Sequence, residues 1–135
     1  MYDDAFSSLV GRRIAKVYRN ETKDHLRFVV ADSSGGEVHF EMVGDCCSSS
    51  WIEHMSGVCF LIGAIIAEVT PGTEVETIDN HPEHDCLRFY NYNIRTDKGI
   101  CAVEMRNSSN GYYGGSIDLA ADCTCTAAIE VTDDF

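Results

Sequence analysis

The sequence predicts an α+β domain, an antiparallel β-sheet with one or two short helices packed on it. Three observations carry that expectation: period-two alternation of apolar residues between 14 and 42, a hairpin pattern across 86–107, and a capping-box pattern at Ser50 and Glu53. At 135 residues the chain has the length of one domain, enough to bury a core without staples.

Phe6-Ser7-Ser8-Leu9-Val10-Gly11 reads as one helical turn or loop stopped by glycine. Ile14, Val17 and Tyr18 begin a strand, and Leu26, Phe28 and Val30 alternate with Arg27 and Val29. After a turn at Ser33-Ser34-Gly35-Gly36, Val38, Phe40 and Met42 alternate with His39 and Glu41, completing a three-stranded meander with one apolar face. Ser50 with Glu53 then predicts a short helix from Trp51 to about Met55, closed near Gly57. Ile65, Ile66 and Val69 resume strand character. Thr70 to Asp85 holds both prolines and many carboxylates and reads as a long loop or a partly ordered excursion. Cys86 to Arg95 and Ile100 to Asn107 form a hairpin across Thr96-Asp97-Lys98-Gly99. Ser116 to Ala121 is a last strand of a single globular domain over 1–121. Residues 122–135 read as a C-terminal extension, an edge strand or tail.

A formal net charge of −12 argues against DNA or RNA as a partner, because phosphate neutralisation needs clustered Lys and Arg. The acidic opening Met1-Tyr2-Asp3-Asp4 is not a secretory start, and the longest apolar run, Val58 to Ala67, is interrupted by Gly63. The expectation is a cytoplasmic chain with no membrane partner. Seven cysteines, odd in number and with Cys46 and Cys47 vicinal, suit reduced thiols rather than a disulfide framework.

Three constellations could carry chemistry. His81, His84 and Cys86 with Cys123 and Cys125 contain zinc-ligand types, but paired C-x2-C spacing is missing, and no metal is expected. Cys46 or Cys47 at the start of the expected helix, with His54, could form a thiolate nucleophile and base; a lone pairing of this kind is of low specificity. The third is ligand capture around Ser108 to Leu119, where Tyr112 and Tyr113 lie in a glycine-flanked bend between Arg106 and Asp118. Tyr90 and Tyr92, with Tyr112 and Tyr113, offer rings; Arg88, Arg95 and Arg106 offer bidentate donors; Asn91, Asn93 and Asn110 suit base or ribose edges. Alternation places Arg88 and Arg106 on the sheet face opposite the core. The alternative is a solvated face on which the tyrosines serve cross-strand packing.

Asp45-Cys46-Cys47, Ile52-Glu53, Leu61-Ile62-Gly63, Lys98-Gly99 and above all Ser109-Asn110-Gly111-Tyr112-Tyr113 followed by Ile117-Asp118 resemble a small acidic domain of phages and prophages. The similarity covers about Leu9 to Leu119 and extends to the phage Thoeris anti-defence sponges of the first described type. It implies a non-catalytic homo-oligomer, a dimer or hexamer, in the host bacterial cytoplasm during infection. Such a protein sequesters cyclic ADP-ribose isomers, some members also taking cyclic oligonucleotides, and so blocks TIR-dependent immunity without a cofactor. By position the resemblance implies that Arg106 binds phosphate, Asp118 contacts ribose or base, and Phe89 or Tyr90 stacks on adenine. Asn110 stands where some members have a second arginine. The rival classes are a nucleotide-cleaving enzyme using Cys47, His54 or Glu53, and a metal-binding structural or interaction module.

Overall fold

The computed structural model describes residues 5–31, 36–44, 48–81, 84–109, 115–120 and 127–135. Its strands are β1 (Ile14–Arg19), β2 (His25–Val30), β3 (Glu37–Gly44), β4 (Ser49–Ser56), β5 (Ile66–His81), β6 (His84–Thr96), β7 (Ile100–Ser109), β8 (Gly115–Leu119) and β9 (Ile129–Glu130). They form a five-stranded sheet in the order β8-β3-β2-β1-β9 and a four-stranded sheet in the order β4-β7-β6-β5. Neighbouring strands are antiparallel throughout. The expected meander is β1-β2-β3 and the expected hairpin is β6-β7.

The fold class is all-β, not α+β: helical structure among the described residues is confined to two short 3-10 turns, Ala5–Leu9 and Val58–Phe60. The segment expected as a helix at Trp51 to Met55 is the middle of β4. Its capping-box residues do other things. Ser50 Oγ donates to the Val43 carbonyl at 3.0 Å across the sheets, and Glu53 sits at a register shift opposite β7. Trp51, Ile52 and Met55 gain more from ladder pairing and burial than one short helical turn could supply.

Of the stretch expected as a loop, Thr70 to His81 instead belongs to β5 and His84 and Asp85 to β6, with pairing carried as far as His81 opposite His84. Pro71 falls within the register shift between Thr70 and Thr73, where a missing N–H interrupts no ladder bond.

The core lies between the sheets. Leu26, Phe28, Phe40, Met42 and Ile117 face Ile52, Met55, Tyr92, Ile94, Val103 and Met105. Phe6, on the first 3-10 turn, is fully buried and makes edge contacts with Phe28, Phe40 and Tyr92, thus touching both sheets. The layers are also tied at their margins. The Ile14 amide donates to the Ala64 carbonyl at 3.0 Å while its carbonyl accepts from the Gly63 amide at 2.6 Å, and Phe135 exchanges two main-chain bonds with Met55, at 2.7 and 3.0 Å. Asp134 accepts from the amides of Gly57 and Val58, both at 2.9 Å, closing the second 3-10 turn.

The β1–β2 turn is held by a buried asparagine. Asn20 Oδ1 accepts from the amides of Asp24 and His25 at 3.0 Å, while its Nδ2 donates to Thr22 and Asp24. Burial alone would raise the Asp24 carboxyl, but bonds from Asn20, Thr22 and His25, with the His25 charge, outweigh it and hold the group below its ordinary 3.8. A depressed carboxyl pKa contributes stability that is complete above the unfolded value and is lost as pH falls through the folded one. Asn20→Ala is expected to cost about 1–3 kcal/mol at neutral pH. Part of that difference disappears below about pH 3.8, which urea unfolding at pH 7 and pH 3 will measure.

Candidate functional site

The outer face of the four-stranded sheet carries a row of large side chains across three strands. Trp51 of β4 is directly opposite Arg106 of β7, and Arg106 is directly opposite Phe89 of β6. Directly opposed residues share a face, so the row reads aromatic, cation, aromatic. The Arg106 guanidinium lies over the Phe89 ring at 4.7 Å from its centroid. Nε of Arg106 donates to Glu104 at 2.8 Å, and one terminal nitrogen pairs with Glu53 at 3.4 Å. The β4 bulge aims Glu53 here. Its carboxylate also accepts from the Trp51 indole at 3.4 Å and faces Lys23 at 3.8 Å.

Two carboxylates neutralise Arg106, so what it presents is a planar, stacked guanidinium rather than a spare positive charge. Its side chain keeps 26% of its surface exposed, enough for a flat ligand to reach the row. Beside the row an open groove of about 530 Å³ is lined by His54, Ser56, Asn91, Asn93, Glu104 and Phe135, among others. That volume lies within the range of small-molecule sites. The asparagine amides and Glu104 present donors and acceptors of the kind that bind hydroxyls and base edges.

The expected site residues divide into groups. Arg106, Phe89 and Asn93 come together on this face. Arg88 does not join them: it is opposite Asn107, which is fully buried, and therefore belongs to the inner face. The expectation that both arginines leave on one face fails because Phe89, not Arg88, is opposite Arg106. Tyr90, opposite Met105, also faces inward and packs against the core. Asp118 is exposed on β8 of the other sheet, opposite Glu41, and is not on the face that carries Arg106. Asn110, Tyr112 and Tyr113 lie outside the described residues, as do Cys46, Cys47, Cys123 and Cys125.

Sequence reading missed Trp51, Glu53 and Glu104 as members of the site. Their signal was the alternation of Trp51 with Ile52 and of Glu104 with Val103 and Met105, masked at β4 by the capping-box pattern. His54 is exposed on β4 opposite Glu104, without a described cysteine as its neighbour in the ladder. Burial pushes the Cys101 thiol up to about 12, with Asp134 and Cys59 adding to the shift, so at neutral pH this thiol is protonated and a poor nucleophile. Among the described residues no group of three or more His, Cys, Asp and Glu is placed to hold a metal ion. None of their helices is long and apolar enough to cross a membrane.

The chain is 27% identical over 113 residues to Uncharacterized protein L278 of Acanthamoeba polyphaga mimivirus, a match covering 82% of this chain and 88% of that protein. No solved structure matches. The profile of the family described as Domain of unknown function (DUF7448) matches residues 7–119, from the first 3-10 turn to the end of β8, and the chain belongs to that family.

Proposed function

We propose that this protein is a non-catalytic capture protein for a cyclic nucleotide signal of the cyclic ADP-ribose type, holding the ligand intact and so blunting TIR-dependent defence during infection. The observation that carries the reading is the Trp51–Arg106–Phe89 row, a half-buried aromatic and guanidinium platform on the outer face of an antiparallel sheet. Base stacking on such side chains is worth about 1–3 kcal/mol per base and needs no reacting group. Asn91, Asn93 and Glu104 in the adjoining groove supply partners for ribose hydroxyls. A flat platform leaves one side of a stacked base open to water, and a second copy of the chain closing over it would supply the other wall and further phosphate contacts. The match to a mimivirus protein agrees with a viral setting.

The test is to incubate the purified chain with a panel of cyclic ADP-ribose isomers and cyclic oligonucleotides, wash, denature, and identify what is released by mass spectrometry. The reading expects an intact cyclic ADP-ribose isomer in stoichiometric amount. Release of a hydrolysed product would replace it with a nucleotide-cleaving enzyme, and retention of nothing from the panel would remove it.

A further inference from the structure

We propose that Lys23, on the β1–β2 turn, is the residue that lets the outer row accept a phosphate-bearing ligand, by cancelling a carboxylate charge that Arg106 leaves unbalanced. The role rests on the capture reading above and adds to it a determinant of ligand charge.

Lys23 stands out first by its backbone. Its φ of 61° is the only positive one at a described residue other than glycine. A β-carbon makes that conformation costly, and Gly or Asn is its usual occupant. The turn itself therefore gives no reason for a lysine, and an outlier of this kind points to a use for the side chain. The backbone also puts that side chain in place. The Lys23 carbonyl accepts from the Ile52 amide of β4 at 2.7 Å, which docks the turn on the edge of the other sheet, next to Glu53. Nζ then lies 3.8 Å from the Glu53 carboxylate and 5.9 Å from the centroid of the Phe135 ring, which Arg19 covers at 5.1 Å.

The charges of the row can now be followed from end to end. Lys23 pairs with Glu53 at 3.8 Å, Glu53 with Arg106 at 3.4 Å, and Arg106 with Glu104 at 2.8 Å. Among the described residues none of the four pairs with a further charged group, so the chain is closed. Two carboxylates around one guanidinium leave a negative charge in excess, and the ammonium removes it. Each of the four side chains keeps only 25–29% of its surface exposed, so solvent screens the cluster incompletely. A ligand stacked on Trp51 and Phe89 brings its phosphates within about a Debye length of 8–10 Å. A row with negative charge in excess would repel them; a balanced row does not. The rings thus select a flat ligand, and Lys23 allows that ligand to be an anion.

Calorimetric titration of a cyclic ADP-ribose isomer into the full chain at low salt tests the role. Lys23→Asn should bind about five- to tenfold more weakly, with an unchanged or higher Tm because asparagine suits the turn. Raising the salt should bring its affinity back toward the wild-type value as the repulsion is screened. Glu53→Gln keeps an acceptor for the Trp51 indole and removes a negative charge, so it should bind more tightly by a similar factor. The double variant should return to within about twofold of wild type, as should Lys23→Arg. Lys16→Asn, which removes an exposed cation of β1, should change nothing and controls for the charge of the whole chain. Undiminished affinity in Lys23→Asn overturns the proposal. So does a loss that Glu53→Gln fails to restore or that Lys16→Asn reproduces, and so does weaker binding by Glu53→Gln alone. A wild-type chain that binds no isomer is a different result, removing the capture reading and this role together.

Discussion

Phe6→Ala is expected to lower the unfolding free energy by about 3–5 kcal/mol, the loss typical of emptying a buried aromatic site. The ring is fully buried on a 3-10 turn rather than on a strand. Its edge contacts are 4.9 Å to Phe40, 5.4 Å to Tyr92 and 6.2 Å to Phe28, measured between centroids. Phe28 and Phe40 belong to one sheet and Tyr92 to the other, so the substitution removes a contact that holds the layers together. Pairs of this kind add about 0.5–1.5 kcal/mol each beyond area burial. Against a total of about 5–15 kcal/mol for a domain of this size, the loss is large enough to appear as a substantial fall in the urea midpoint. Phe6→Leu, which keeps most of the volume, should cost less than half as much. Equal midpoints for Phe6→Ala and wild type would mean that the turn does not plug the sandwich.

Trp51→Ala and Phe89→Ala should each weaken nucleotide capture by about tenfold to a hundredfold, the equivalent of about 1–3 kcal/mol of stacking. The two rings flank Arg106 from opposite strands, so each removes one end of the platform while leaving the ladder paired. Arg106→Lys is a sharper probe of geometry. Lysine keeps the charge between Glu53 and Glu104 but has no planar group to lie over Phe89. It should therefore retain stability while losing affinity, and calorimetric titration beside a thermal melt separates the two. Because both carboxylates already neutralise the arginine, affinity should change little with salt, unlike binding that rests on free cations.

The antiparallel framework was legible wherever period-two alternation met an ordinary turn. Leu26, Phe28, Phe40 and Met42 declared the meander, and Thr96-Asp97-Lys98-Gly99 declared the β6–β7 hairpin. What failed did so for identifiable reasons. Ser50 and Glu53 match a helix start, yet the same side chains serve a cross-sheet bond to Val43 and an ion pair with Arg106, contacts that become visible only once β7 lies alongside. Pro71 and the carboxylates after it suggested a loop, but an edge strand tolerates a proline at a bulge and benefits from charge. The site was half legible. Alternation gave Arg106 its outward face, but it could not align β6 against β7, and a register error of one residue put Arg88 where Phe89 belongs. Asp118 was chosen for its closeness in sequence to Arg106, whereas the chain places the two on different sheets.

Trp51 is the only tryptophan of the chain and is part of the row, so its fluorescence reports on the site without a label. Titrating a cyclic ADP-ribose isomer into the wild-type protein should give a saturable change in emission, with a midpoint that matches calorimetry and moves about tenfold or more higher in Phe89→Ala. Calorimetric binding accompanied by unaltered Trp51 emission would place the ligand elsewhere and contradict the account.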